Sequence, residues 1–156
     1  MKIELAGTYR NTDQGREAEA LLLPCVQCGQ CTFTCPTFRL LDDEWDGPRG
    51  RIYLIKQMLE GKAPSAAFLP PAYSLDTLEG RTLGANVQLH LDRCLGCRSC
   101  ETSCPQGVRY GRLLDIGREL AEKLRGTEAR PLFDEALAKD QAFALAHLYL
   151  AQTAAT

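Results

Sequence analysis

Two cysteine runs with the same spacing constrain this chain more than any other feature. Each run reads C-x2-C-x2-C-x3-C-P, and together the two runs contain all eight cysteines of the chain. The first run holds Cys25, Cys28, Cys31 and Cys35, and the second holds Cys94, Cys97, Cys100 and Cys104. This spacing is typical of the thiolate ligands in bacterial proteins that carry two [4Fe–4S] clusters. The sequence therefore predicts two such clusters.

The same spacing predicts which thiolates share a cluster. Ten residues on one straight helix would spread over about 15 Å, so we expect the first three cysteines of each run on a tight loop. The Cys-Pro pair is expected to open a helix, and in two-cluster proteins the fourth thiolate binds the other cluster. The predicted ligand sets are Cys25, Cys28, Cys31 and Cys104 for one cluster, and Cys94, Cys97, Cys100 and Cys35 for the other.

Disulfides and zinc are the alternative uses of eight cysteines. Four disulfides would be typical of a secreted protein, and the N-terminus lacks the apolar stretch of a signal peptide. Two zinc sites are the stronger alternative, because C-x2-C pairs are common in zinc-binding domains. Zinc ribbons pair two short hooks, however, and the four-cysteine run ending in Cys-Pro favours iron–sulfur clusters.

Composition excludes several classes of function. The formal net charge of −2 over 156 residues gives no basic surface for nucleic acid. No apolar stretch reaches the length of a membrane span, and no nucleophile–base set or phosphate-binding loop is evident. These features predict a cytoplasmic electron-transfer protein without catalytic residues of its own, and peripheral attachment at the inner face of the cell membrane is the alternative location.

Local signals predict a mainly α fold. The predicted helices are 16–22, a short helix after Pro36 through Leu41, a helix opened by Pro48 that runs over 52–60 and ends at Gly61, and 111–124 with its end at Gly126. Ile52, Ile55 and Leu59 share one helical face and are predicted to be core. Gly117 either permits close packing or only weakens its helix.

The rest of the chain divides by composition. Residues 1–19 are predicted to form an N-terminal lead-in that is polar over 1–12, 20–125 the cluster domain, and 126–156 a helical tail. Within the cluster domain, 62–87 has several prolines and glycines and is predicted to be a long loop. The tail resembles part of a tetratricopeptide repeat in its Ala/Leu/Tyr pattern. The alternative is an amphipathic helix that packs on the cluster domain or on a partner.

Polar residues near the runs have two interpretations each. Arg49 and Arg51 are either surface residues or cations that offset the negative charge of a cluster. The same choice, between solvated surface and a tuning or docking role, applies to Arg93, Arg98 and Glu101. His90 is interpreted as structural, because eight thiols already fill two clusters.

Beyond the ligand runs, four stretches resemble the iron–sulfur subunit of glycolate oxidase (glycolate dehydrogenase). They are 25–37, 46–57, 90–110 and 114–119, and the resemblance covers roughly 20–124. It includes connecting sequence as well as cysteines, such as Asp46-Gly-Pro-Arg-Gly-Arg51. The same region resembles subunits of lactate-utilisation and anaerobic glycerol-3-phosphate dehydrogenase systems.

This resemblance implies an α-helical ferredoxin fold and partnership with flavin-containing glycolate oxidase subunits, which oxidise glycolate to glyoxylate. Electrons would pass from flavin through the two clusters to a downstream acceptor, such as a quinone-linked one at the membrane. Family members continue into a region rich in paired cysteines, whereas this chain has no cysteine after Cys104. The alternatives are therefore a truncated or fused version of the subunit, or a stand-alone ferredoxin-like carrier or adaptor.

Overall fold

The computed structural model describes the backbone of residues 1–62 and 83–139, and the side chains of 1–62 and 87–124. Every regular element in these ranges is helical. They are α1 (Gly7–Arg10), α2 (Asp13–Leu22), α3 (Gln30–Phe33), α4 (Pro36–Leu41), a 3-10 turn (Glu44–Asp46), α5 (Pro48–Leu59), α6 (Leu83–Asp92), α7 (Ser99–Thr102) and α8 (Tyr110–Lys139). The prediction of a mainly α fold is confirmed.

Local sequence sets where the helices around the first cysteine run begin and end. Helix α2 starts where the Thr12 hydroxyl accepts a hydrogen bond from the Gly15 N–H at 3.0 Å, as an N-cap residue does. Helices α4 and α5 both open with proline in the first turn, where its missing N–H costs nothing. Helix α5 ends before Gly61, which adopts φ +65°. The predicted α4 and α5 are confirmed.

The core lies where α5, α6 and α8 pack together. Ile52, Ile55 and Leu59 of α5 are buried, as predicted from their spacing. Among the side chains that the structure describes, the buried apolar residues of the other two helices are Val87, Leu91, Tyr110, Leu113, Leu114, Ile116, Leu120 and Ala121. Burial of these side chains supplies the main favourable term in folding, and it fixes the helices that flank the cysteine runs.

Gly117 permits the close approach of α8 to α5. A Cβ atom at this position would lie 2.6 Å from Ile55 Cγ1 and 2.7 Å from Ile55 Cδ1. Because Ile55 is fully buried, it has no free space to move into. Of the two interpretations of Gly117, the packing one is confirmed.

Gly117→Ala is expected to destabilise the protein although alanine favours helix. Overpacking of a core costs about 1–3 kcal/mol, which exceeds the gain of roughly 1 kcal/mol in helix propensity. Thermal unfolding measures the change. Gly7→Ala is the matched control, because a Cβ at Gly7 meets nothing within 4 Å. An unchanged melting temperature for Gly117→Ala would contradict the packing role.

Three sequence predictions differ from the structure. Residues 1–12 are not merely a polar lead-in, because Ile3 and Leu5 are buried in the core. The predicted loop over 62–87 is wrong at its end, since α6 begins at Leu83. The predicted helix end at Gly126 is also wrong, because α8 continues to Lys139. Helix α6 carries apolar residues four apart, a helical signal that its glycine obscured.

Other predictions lie outside the described residues. These are the predicted loop over 63–82 and the second helix of the C-terminal pair, over 140–156. The division into lead-in, cluster domain and tail stays a prediction. In the ranges that the structure describes, none of the helices has the length and apolar character needed to cross a bilayer.

Candidate metal centres

The two cysteine runs fold into loops with the same backbone conformation. In the first loop Gln27 and Gly29 have φ values of +58° and +79°, and in the second Gly96 and Arg98 have +65° and +56°. The left-handed residues thus occupy the third and fifth positions of each run. Glycine takes one of these positions in each loop, which limits the strain. Each loop is followed by a single helical turn, α3 or α7.

The loops are joined where α3 and α7 lie side by side. Thr34 and Ser103 directly precede the fourth cysteine of their runs, and their hydroxyl oxygens are 3.0 Å apart. The Thr34 hydroxyl also donates to the Ser99 carbonyl at 3.3 Å. The end of each run therefore lies against the other run, which brings the fourth cysteine close to the opposite loop.

Two cavities adjoin the loops, and each is lined by cysteines from both runs. The first cavity is lined by Cys25, Cys28, Cys31 and Cys104, and also by Cys100. The second cavity is lined by Cys35, Cys94, Cys97 and Cys100. Cys100 lies between the two cavities. All eight cysteines are free of disulfide bonds.

The chemistry of these thiols fits a metal cluster. Burial raises the pKa of the Cys100 thiol to about 12, and negative charge on Cys31 and Cys94 adds to the rise. Burial also raises the pKa of Cys31, with contributions from Cys25 and Cys104. Thiols placed this close together oppose one another's ionisation, whereas coordination to a metal ion deprotonates a thiol outright. Such donor sets are suited to iron ions.

The family comparison agrees with this chemistry. The family described as the 4Fe-4S dicluster domain matches residues 21–108. The chain belongs to this family. The dicluster domain, with its eight cysteines, carries two [4Fe–4S] clusters.

Two curated relatives are similar to the dicluster domain and to its flanks. The glycolate oxidase iron-sulfur subunit of Escherichia coli (strain K12) is 50% identical over 123 residues, which are 79% of this chain and 26% of the relative. The probable glycolate oxidase iron-sulfur subunit of Bacillus subtilis (strain 168) is 36% identical over 112 residues, 71% of this chain and 21% of the relative. The chain thus spans about a quarter of the length of these relatives. No solved structure matches it significantly.

A buried charge network supports the second cavity of the dicluster domain. The side chains of Arg51 and Asp46 are both completely buried. Arg51 donates from Nε to the His90 carbonyl at 2.6 Å and from Nη1 to the Thr37 hydroxyl at 3.1 Å. Its Nη2 lies 3.4 Å from Asp46 Oδ1. Arg51 is therefore no surface residue, and it lines the second cavity.

Asp46 is the centre of this network. Arg93 Nη1 donates to Asp46 Oδ2 at 2.8 Å, and His90 Nδ1 lies 3.2 Å from Oδ1. Asp43, Asp46 and His90 have ligand atoms within 4.8 Å of one another. Because arginine guanidinium groups contact both oxygens of Asp46, this arrangement favours a charge network over a cation site. It also agrees with the structural interpretation of His90.

The remaining polar candidates have different surroundings. Arg49 lines the first cavity and is half exposed, with Glu44 3.6 Å away. Arg98 lines the second cavity. Glu101 accepts a hydrogen bond from the Gly111 N–H at 2.6 Å, so it caps the start of α8 in the way that an N-terminal carboxylate does.

Three residues beside the second cavity have roles that the sequence did not predict: Thr37, Asp46 and Tyr110. The Thr37 hydroxyl lies 3.1 Å from Cys35 Sγ, and the Tyr110 hydroxyl donates to Cys94 Sγ at 3.7 Å. Burial raises the pKa of Tyr110 well above its usual value, and the nearby Cys94 adds to the rise. All three residues lie in the stretches that carry the family resemblance, but spacing alone gives no sign of these contacts.

Proposed function

We propose that this chain is an iron–sulfur electron-transfer subunit of a glycolate oxidase-type complex. In this proposal it receives electrons from a flavin-containing subunit that oxidises glycolate to glyoxylate, and it passes them to a downstream acceptor. The observation that carries the proposal is the pair of neighbouring thiol-lined cavities. The similarity to glycolate oxidase iron-sulfur subunits supports the substrate class.

The proposed ligand sets follow the linings of the two cavities. Cys25, Cys28, Cys31 and Cys104 would hold the cluster of the first cavity. Cys94, Cys97, Cys100 and Cys35 would hold the cluster of the second cavity. This assignment agrees with the general rule that the fourth cysteine of such a run ligates the other cluster.

Bound clusters supply one-electron redox chemistry, and the protein supplies their position and surroundings. Cys100 lines both cavities, so the two centres would lie close enough together to exchange electrons. Cys28 and Cys97 are exposed, one in each cavity. Each centre would thus have its own contact with the protein surface, one suited to a donor and the other to an acceptor.

The partners that this role requires are flavin-containing glycolate oxidase subunits. A quinone-linked acceptor at the membrane would complete the path, which would place the subunit in the cytoplasm or at the inner face of the cell membrane. Exposed apolar side chains such as Phe33, Leu40 and Leu95 are compatible with contacts to other subunits.

Anaerobic co-purification with the flavin-containing subunits tests the proposal. We expect the cluster-loaded chain to retain a flavoprotein, and glycolate to reduce its clusters, as followed by loss of visible absorbance. A hydroxy acid that the flavoprotein does not oxidise is the control. A loaded chain that retains no flavoprotein and accepts electrons from several enzymes would instead be a stand-alone carrier. Stoichiometric zinc in a colourless protein would contradict both functions.

A further inference from the structure

The two cavities differ in the hydroxyl groups that face their sulfur atoms. In the second cavity, Tyr110 is buried at the start of α8 and donates to Cys94 Sγ at 3.7 Å. Its N–H donates to the Val108 carbonyl at 2.9 Å, and the adjoining Gly111 is held by Glu101. The phenol is therefore fixed in place beside Cys94 and is protonated at neutral pH.

Thr37 is the second hydroxyl, and its surroundings direct its proton. The Thr37 hydroxyl donates to the Asp46 carbonyl at 2.8 Å, and its oxygen lies 3.1 Å from Cys35 Sγ. Arg51 Nη1, which can only donate, occupies one acceptor site on this oxygen. A metal-bound Cys35 carries no proton and is an ionised acceptor, which forms stronger hydrogen bonds than a carbonyl does. The Thr37 proton is therefore expected to turn to Cys35 Sγ.

The first cavity has fewer side-chain donors among the described residues. The Gln27 amide lies 3.8 Å from Cys25 Sγ, a long contact similar to the one of 3.7 Å between the Tyr110 hydroxyl and Cys94 Sγ. Thr32 partly offsets the raised pKa of Cys31, but its oxygen makes no hydrogen bond of normal geometry. Gln106, which follows Cys104 as Thr37 follows Cys35, is exposed. Tyr110 lines the first cavity as well as the second, but its hydroxyl donates to Cys94. In the described part of the chain, no hydroxyl of the first cavity matches the 3.1 Å contact of Thr37 with Cys35 Sγ.

Hydrogen bonds to ligand sulfurs tune a cluster's reduction potential. Reduction adds negative charge, and a donor aimed at sulfur stabilises the reduced form more than the oxidised form. Solvent exposure acts on the potential as well. Each proposed ligand set has one exposed cysteine, Cys28 or Cys97, but the second set has two buried cysteines and the first has one, which disfavours added charge in the second cavity. We expect the difference in donors to outweigh this difference in burial.

We propose that the hydroxyl groups of Tyr110 and Thr37 raise the reduction potential of the cluster in the second cavity above that of the cluster in the first. An added electron would then reside mainly on the cluster in the second cavity. This inference rests on the proposed function and on its ligand sets. Tyr110 and Thr37 would act as positioning residues, because they determine which cluster holds the electron. Electrons would leave the chain for the acceptor from the cluster in the second cavity.

A redox titration of the full, cluster-loaded chain, followed by electron paramagnetic resonance, tests the proposal. We expect two one-electron transitions. Tyr110→Phe should shift the higher one to lower potential and leave the other unchanged, and Thr37→Val should act in the same direction. Gln27→Gly is the matched control and should shift only the lower transition, because glycine already stands at the equivalent Gly96. Unchanged transitions in loaded Tyr110→Phe protein would overturn the proposal.

A second variant assigns the transitions to the cavities independently. The variant with Cys25→Ser and Cys104→Ser should retain only the cluster of the second cavity. Its single redox transition should coincide with the higher transition of the unaltered chain. Coincidence with the lower transition would overturn the inference but leave the ligand sets intact. Loss of both clusters would instead overturn the ligand sets.

Discussion

Replacing Cys25 and Cys104 together by serine is expected to leave one [4Fe–4S] cluster intact, whereas replacing Cys25 and Cys35 together is expected to remove both. The first pair lines one cavity, and the second pair is divided between the two cavities. Each variant loses two thiols, so the number of remaining ligands is the same. Iron analysis should give about four irons per chain for the first variant and almost none for the second, against about eight for the unaltered chain.

The outcome is reversed if each run closes on its own cluster. In that case the pair Cys25 and Cys35 would belong to one site, and their loss would leave about four irons per chain. Serine is close to cysteine in size, so a difference between the variants reports the ligand pairing and not the volume of the side chain. Electron paramagnetic resonance of the reduced proteins provides a second measurement, because the coupling between two reduced clusters should disappear when only one remains.

Replacing Arg51 by methionine is expected to produce the largest loss of stability outside the cysteines. The change leaves Asp46 buried with a weaker set of partners and leaves the His90 carbonyl and the Thr37 hydroxyl without their donor. Breaking a buried ion pair on one side costs about 3–5 kcal/mol. For a chain of this length, the midpoint of thermal unfolding should fall on the order of 10 °C.

Arg49→Met is the matched control for this experiment. Arg49 lies on the same helix, undergoes the same substitution, and has a side chain that is 49% exposed and 3.6 Å from Glu44. An exposed ion pair contributes about 0–1 kcal/mol, so its melting midpoint should change little. Both proteins are compared with equal iron content, since cluster loss would itself lower stability. Equal effects of the two substitutions would contradict the structural role of the buried network.

The loops and helices that the sequence predicted correctly are specified by residues close together in the chain. Cysteine spacing identified both loops, and proline at the start with glycine after the end marked α5. Ile52, Ile55 and Leu59 follow helical periodicity and are buried. These signals lie within a few residues of the structure that they specify, and they could be read without knowing how the chain folds back on itself.

The network around Asp46 could not be predicted in the same way. Its partners His90 and Arg93 come from α6 and the segment just after it, far along the chain, and meet Asp46 only once the helices have packed. Arg51 illustrates the difficulty, because buried arginine is rare and nothing in the neighbouring sequence indicates that this one is buried. The contact between Tyr110 and Cys94 could likewise not be predicted, since it depends on where α8 begins.

The errors at helix ends have a related cause. Gly126 predicts a helix end, because glycine is common just after one. A glycine inside a helix costs only roughly 1 kcal/mol, and the helix formers Glu128, Ala129 and Arg130 follow it. Helix α8 accordingly continues to Lys139. Local signals rank the possible endpoints of a helix but do not decide among them.

The shared lining of the cavities has a consequence for biogenesis. The first cavity includes Cys104, and the second includes Cys94, Cys97 and Cys100. With the proposed ligand sets, a ribosome that has synthesised only the first cysteine run has produced thiols for both clusters but a complete set for neither. Completion of either cluster would then require the second run, so maturation of the two centres would be tied to translation through Cys104.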